Sequence, residues 1–532
     1  MIVILSAMLF AMTPAASLLA QAAAPAAAEG AAEAPAMTPV PLLPNPGEVN
    51  TPESADMKPR RAIVLSMQEA VRLTLENSMR VKINRVSPEV ALAAIQKAEA
   101  KFDWSFVSTW AAGRSEVLST DSTETNRIKN ESESQSIKAG LKKQLMTGGT
   151  IAPTLKWQRD QASGAQQTTD LFVTITHPLL RNAGRDVNLA DVYLARNNAD
   201  VSRNQFKDAV LTTLATMQGT YWDLVFAIED LDVKRKSLRL TRDTLDQTRA
   251  QVEAGLLAPI EVARVRADLA AKETDILTAQ QTLEEKEDLL RQFINKRGNK
   301  LLEDIGVIPL ERAAYVAVDL DLESEAIAAL ASRPDYQVFR LAVQARDIEL
   351  VVAKNQKLPV VDLAATFSLN GLGANTGQSV RTMSELDYHD WQASVSVEVP
   401  IGNRAAKAGY TTARLNKIKA VLELKNAEDD IIIAVKRDVR QVSTSLKRIS
   451  STRVARELAE ERLRAEQERF NVGTALILDV LNAQTLLAEA ESAERRSIVD
   501  YNKALISLER SKGTLLERDH IFLSGELGPE MK

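Results

Sequence analysis

The sequence predicts a mixed α and β protein in which long paired helices carry short amphipathic strands, the whole built from an internal duplication. Three observations predict it. A heptad seam of apolar residues runs into a glycine, Gly255, and recurs 218 positions later ahead of a second glycine, Gly473. Segments of two-residue alternation lie between the helical stretches. The composition, with 26% charged and 4% aromatic residues and no cysteine in 532, fits extended helices better than several compact cores.

The first 28 residues carry no charge, Ile2 to Met12 are apolar, and Ala20-Gln21-Ala22 offers an A-x-A cleavage pattern. Residues 1–22 read as a secretory signal peptide, since the apolar run is too short to span about 30 Å of hydrocarbon. Residues 23–60, rich in Ala and Pro, read as a disordered linker. The lack of cysteine excludes disulfides, thiolate sites and lipid anchoring through a thiol. A net charge of −5 shows no nucleic-acid footprint. No later stretch reaches the roughly 18 apolar residues of a transmembrane helix.

Residues 61–300 read as a first structural repeat, 301–320 as a linker, 321–517 as a second repeat and 518–532 as a tail. The first seam is Met217, Tyr221, Leu224, Ile228, Leu231, Leu238, Leu245 and Val252. Its counterpart is Val435, Val439, Val442, Leu446, Ile449, Arg456, Leu463 and Phe470, apolar at every position but Arg456. A 3.5-residue period held this long specifies coiled-coil packing, and two copies in one register specify duplication.

Strands are predicted where Trp391, Ala393, Val395, Val397 and Val399 alternate with polar residues, and likewise along Val361 to Leu369. In the first half, Leu171, Val173 and Ile175 do the same, as do Ile137, Ala139, Leu141 and Leu145, with Lys143 interrupting. Runs of about nine residues suit a tilted transmembrane strand, and alternation alone leaves a half-exposed strand of a soluble sandwich equally open. Gly371 to Arg381, with "GLGANTG", reads as a hairpin tip. Pro178 and Pro400 mark strand-to-helix junctions, where Pro fits a first helical turn. From junction to glycine is about 75 residues, or roughly 110 Å of helix. Strands at one end and a helix reversal at the other describe a tube standing on a membrane.

Four stretches carry a family resemblance: "SMQEAVRLTLENS" (Ser66 to Ser78), "AEAKFDWSF" (Ala98 to Phe106), "THPLLRNAGRDVN" after the strands, and "RFNVGTALILDVLNAQ" at the second glycine. From about Leu65 to Leu516 the chain resembles the TolC-like outer membrane efflux proteins. The resemblance implies a homotrimer whose protomers close one outer-membrane β-barrel, continued through the periplasm by a long α-helical, coiled-coil barrel. It implies the exit duct of a tripartite efflux or type I secretion system, embedded in outer membrane lipid. Its partners would be a periplasmic membrane-fusion adaptor and an inner-membrane pump, with no cofactor.

Gly255 and Gly473 would then be turns at the periplasmic tip, and Glu261, Arg469, Phe470, Asp479 and Asn482 candidate constriction or adaptor-contact residues. Asp479 would face the narrowed tip, and Glu261 could pair with a base such as Arg469. Departures from the family pattern are Phe470, which lacks a hydroxyl, Asn482, which removes a charge, and Pro259 where the second turn has Ile477. The first half also has room for an extra hairpin, roughly Ile151 to His177, giving four or six strands per protomer.

No catalytic constellation is visible. The three histidines, His177, His389 and His520, are far apart, and none has a partner at triad or metal-ligand spacing. The expected function is therefore a passive channel, not an enzyme. The alternative is a soluble secreted coiled-coil scaffold, which explains the heptads but not the strands.

Overall fold

Local capping opens the described part of the chain. The structure, a computed structural model, describes residues 62–120, 127–160, 166–294, 306–519 and 521. The expected signal peptide, the 23–60 linker, His520 and most of the tail lie outside the described residues. Strand β1 (Ala62–Leu65) ends at Ser66, whose hydroxyl accepts the Glu69 N–H at 3.3 Å and starts helix α1 (Met67–Asn77). Helix α2 (Met79–Glu99) and a 3-10 turn at Ala100–Phe102 lead into strands β2 (Ser105–Thr120), β3 (Arg127–Gln144), β4 (Thr150–Asp160) and β5 (Gln166–Pro178). The short α3 (Arg185–Asn188) precedes α4 (Ala190–Glu253), which reverses into α5 (Pro259–Ile294).

The second half opens with β6 (Gly306–Pro309), α6 (Leu322–Ser332) and α7 (Pro334–Asn355). Then come β7 (Val360–Gly373), α8 (Thr376–Ser384) and β8 (His389–Glu398). Helix α9 (Arg404–Asn471) reverses into α10 (Ile477–Lys512), and α11 (Leu515–Arg518) closes the described chain. Glu253, Pro259 and Ile294 stand 218 positions before Asn471, Ile477 and Lys512, so three helix boundaries repeat at the spacing of the glycines.

The long helices are shorter than the expected 110 Å. At 1.5 Å per residue, the 64 residues of α4 span about 96 Å and the 68 of α9 about 102 Å. The prolines explain the difference. Pro178 is the last residue of β5 and Pro400 lies just beyond β8, so neither occupies a first helical turn. Each is followed by an irregular connector with left-handed residues, Asn182 and Gly184 in the first and Gly402 and Asn403 in the second.

The seams are buried as the periodicity requires. Met217, Tyr221, Leu224 and Leu231 are at most 4% exposed, and so are Val435, Val442 and Ile449. Arg456, the one polar seam residue, reaches Glu494 at 2.7 Å and Glu460 at 3.2 Å, so its charge is matched where Leu238 packs in the other copy. Helix α4 packs on both α5 and α10, and α9 on α10.

Inside the stretch expected as a linker, β6 pairs in parallel with β1, Leu65 opposite Pro309. Tyr221 fastens this small sheet to α4. Its hydroxyl contacts the Leu65 carbonyl at 2.9 Å and the Glu311 carboxylate, while Glu311 also accepts the Met67 N–H at 3.0 Å. Burial and the Glu311 carboxylate hold the phenol protonated far above its usual range. Arg518 and Ile521, at the start of the expected tail, also pack back, the one donating to Gln218 at 2.9 Å and the other resting on the same apolar cluster.

The six remaining strands form one antiparallel sheet in the order β2-β3-β4-β5-β7-β8. The Ile151 to His177 segment lies inside it as β4 and β5, so among the described residues the sheet has six strands. Residues directly opposite each other share a face, and the register sorts the faces by polarity. Ala139, Leu155, Leu171 and Leu369 form one row across four strands, and Val173, Phe367 and Trp391 another. On the other face, Lys138, Lys156, Asp170 and Asn370 align. Tryptophans bound the apolar face at one end, with Trp110 and Trp157 both opposite Ile137.

The expected hairpin tip at Gly371 to Arg381 is mostly helix. Asn375 caps α8 by accepting the Gln378 N–H at 2.9 Å. The helix folds back on the sheet through a buried Ser379–Thr169 hydroxyl bond of 2.8 Å. A Cβ at Gly371 would stand 2.0 Å from the Ser379 carbonyl oxygen, so glycine is what lets the helix lie there. Among the described residues, only α8 and the 3-10 turn pack appreciably against this sheet, and no helix is long and apolar enough to cross a membrane.

Candidate functional site: the paired helix turns

Both long hairpins reverse through the same backbone device. Gly255 and Gly473 each have φ of 76°. The Gly255 N–H bonds the Val252 carbonyl at 3.0 Å and the Leu256 N–H bonds Gln251 at 2.9 Å. At the second turn, Gly473 bonds Phe470 at 3.0 Å and Thr474 bonds Arg469 at 2.8 Å. These are two Schellman closures, in which a left-handed glycine lets two carbonyls left over at the helix end find donors. Four residues after each glycine the return helices begin, at Pro259 and Ile477. The substitution is tolerated because that first helical position needs no intrahelical N–H bond.

The two turns pack on each other. Leu245 and Val265 of the first hairpin share an apolar cluster with Leu463, Ile477, Val480 and Leu481 of the second. Phe470 lies half-buried against it, so the side chain that lacks a hydroxyl contributes packing. Two polar bridges, which the sequence reading missed, join the hairpins nearby. Gln484 donates to Thr244 at 2.9 Å in a buried bond, and Lys272 donates to Thr485 at 2.8 Å. Gln484 stands in the quoted "LNAQ", but its partner is 240 positions away.

The expected Glu261–Arg469 partnership does not form. Glu261 is held by Arg264 at 2.9 Å and Arg469 by Glu466 at 3.0 Å, each within its own helix. An i,i+3 partner is delivered by the helix itself and outcompetes one across a turn. Asp479 sits in the first turn of α10, where its carboxylate accepts the Leu476 N–H at 3.2 Å. That satisfies an orphan donor and sets negative charge at the positive end of the helix. Asp479 is half-buried, and Asn482, one turn further on, is exposed. Both acid positions, Glu261 and Asp479, thus fall in the first turn of a return helix.

Among the described residues no three His, Asp or Glu side chains gather as a metal site. His177 contacts the Thr147 hydroxyl at 3.0 Å, and His389 stacks on Phe367 with ring centres 6.2 Å apart.

Residues 327–514 match the family model described as outer membrane efflux protein. The chain is similar to outer membrane protein TolC of Vibrio cholerae, 23% identical over 331 residues, which span 60% of this chain and 73% of that one. TolC of Escherichia coli is 23% identical over 336 residues, 62% of this chain and 66% of its own length. The fold resembles the Campylobacter jejuni CmeC outer membrane channel, with TM-score 0.63, 14% identity and coverage of 86% and 90%. It also resembles VceC of Vibrio cholerae, with TM-score 0.61, 16% identity and coverage of 84% and 96%. In its matched second half and in its architecture of long hairpins bearing a sheet, the chain is similar to the outer membrane efflux proteins.

Proposed function

We propose that this protein is the outer-membrane exit duct of a tripartite efflux or type I secretion system, conducting cargo passively from the periplasm to the outside. The observation that carries the reading is the six-stranded sheet, apolar on one face and polar on the other, borne on two long helical hairpins. An apolar face with almost nothing packed on it needs a hydrocarbon solvent, and an open sheet edge in hydrocarbon leaves backbone groups unbonded at several kcal/mol each. The strands therefore close as a barrel with other copies, and a homotrimer is the arrangement the family uses. The soluble scaffold accounts for the seams but not for that face.

In this reading α4, α5, α9 and α10 form the wall of a periplasmic helical barrel, a duplicated unit supplying two hairpins per protomer. The domain division follows: a signal peptide and linker, repeats over 61–300 and 321–517, a connection at 301–320 and a tail from 518. The turns at Gly255 and Gly473 form the periplasmic tip that meets a membrane-fusion adaptor coupled to an inner-membrane pump. Glu261, Arg469, Phe470, Asp479 and Asn482 lie at or near that tip. Three symmetry-related Asp479 carboxylates in one ring would favour cations, while closure comes from packing such as that of Phe470. One relative, OpmQ of Pseudomonas putida, is described as a pyoverdine export outer membrane protein. The test is fractionation followed by mild detergent extraction. An outer-membrane trimer is expected, and either a soluble periplasmic protein or a folded monomer with intact β-structure overturns the reading.

A further inference from the structure

We infer that three copies of this chain close a barrel wall of eighteen strands, six from each, with β8 of one copy pairing with β2 of the next; this rests on the trimeric-barrel reading above. Every neighbouring pair in the sheet is antiparallel. Six is an even number, so the two edge strands run in opposite directions. The edge of a second copy therefore continues the same antiparallel pattern, with no parallel seam.

The edges are bare and chemically matched. All ten residues of β8 are exposed, and Phe106 and Trp110 on β2 are 70% and 71% exposed. Both edges carry the apolar face: Phe106 and Trp110 on one, Trp391, Val395 and Val397 on the other. Joining them extends a single apolar band around the wall. The occupant of each edge is thus a second copy of this chain.

The β3–β4 hairpin is part of the wall rather than a flap on it. Its strands hold the middle of the sheet, and without them β2 has no partner. Its turn is anchored at the helix end, where the Gly184 N–H bonds the Thr147 carbonyl at 3.1 Å and His177 contacts the Thr147 hydroxyl. Its polar face, Lys138 opposite Lys156, continues the Asp170 and Asn370 row. Strands about 4.8 Å apart and tilted about 40° each take about 6.3 Å of circumference. Eighteen strands give a backbone radius of about 18 Å, against about 12 Å for a twelve-stranded wall. The inner channel through the sheet is correspondingly wider, while the helical part is unchanged.

Two measurements on the full-length protein test this. Electron cryo-microscopy of the detergent-extracted trimer should show eighteen strands. A closed twelve-stranded wall overturns the strand count and leaves the duct intact, whereas the absence of any closed barrel overturns both. Because the chain has no cysteine, Leu155→Cys and Lys156→Cys each introduce a single thiol on β4. In outer-membrane vesicles a membrane-impermeant maleimide should modify Lys156→Cys through the channel and spare Leu155→Cys. Equal modification of the two means that β4 stands in water on both faces, and the wall does not include it.

Discussion

Replacing Val395 with arginine is the sharpest probe of which sheet face meets lipid. Val395 stands opposite Leu363 near the middle of the apolar run of β8, and its neighbour Ser394 stands opposite Ala364 on the polar face. Successive side chains point to opposite faces, so a one-residue shift moves the charge from hydrocarbon to the aqueous interior. An arginine on the lipid side near the midplane costs about 2–4 kcal/mol, falling toward zero at the interfaces. At 1.4 kcal/mol per decade, that is about 30- to 700-fold per protomer in the folding equilibrium. A trimer presents the substitution three times, so the cost per assembled particle is about 6–12 kcal/mol. The assay is the yield of outer-membrane trimer, with urea unfolding in detergent as the quantitative readout. Val395→Arg should lose most of its trimer and Ser394→Arg little. Equal loss in both variants refutes the face assignment, and greater loss for Ser394→Arg inverts it.

Three further outcomes follow from local geometry. Gly255→Ala and Gly473→Ala each place a Cβ in open space at φ of 76°, so backbone strain alone should cost about 1–2 kcal/mol. Hydrogen exchange at the turn amides should quicken about 5- to 30-fold, and unchanged protection would remove the left-handed turn from the account. Asp479→Asn keeps an acceptor for the Leu476 N–H but removes the charge; planar-bilayer recordings should show weaker cation preference with the helix intact, and wild-type selectivity would take Asp479 out of the constriction. Asp208 shares a cavity of about 110 Å³ with Arg333, Asp335, Asp438 and Arg510, and burial, then repulsion from Asp335, raises its carboxyl above the usual range. A carboxyl raised in the folded state costs stability while ionised, and that cost vanishes below its unfolded-state pKa. Asp208→Asn should therefore stabilise the protein at neutral pH, the gain fading on acidification through the raised pKa; a gain that grows toward low pH would contradict this sign.

What the sequence disclosed is what neighbours along the chain decide. The Met217 to Leu245 seam and its copy were legible because helical packing follows the 3.5-residue period, and the turns because a left-handed position demands glycine. Pairings between distant segments were not. Strands β1 and β6 have four residues each and lie 244 positions apart, too short for alternation to register. Helix α8 reads as a turn because its Gly, Asn and Thr are turn-formers; its anchorage depends on Gly371 lying beneath Ser379. The alternation did place the strands, but only the cross-strand register shows that their apolar residues form one continuous face. At the tips, the error over Glu261 and Arg469 was avoidable, since Arg264 and Glu466 stood three residues away in plain view.

The two connectors between sheet and helices differ in length, and that asymmetry has an architectural consequence. Eleven residues, Leu179 to Leu189 with α3 among them, join β5 to α4, whereas five, Val399 to Asn403, join β8 to α9. The first half contributes four strands and the second two, while the helical hairpins of the halves are nearly equal. In the proposed trimeric barrel the connectors act as a gearbox between two rings with unequal tooth counts. Hairpins can then be added to or removed from the upper ring in pairs without re-cutting the lower one. Chimeras that exchange strands between such proteins should be joined within these connectors, where left-handed residues already take up the mismatch, and not inside β5 or α4.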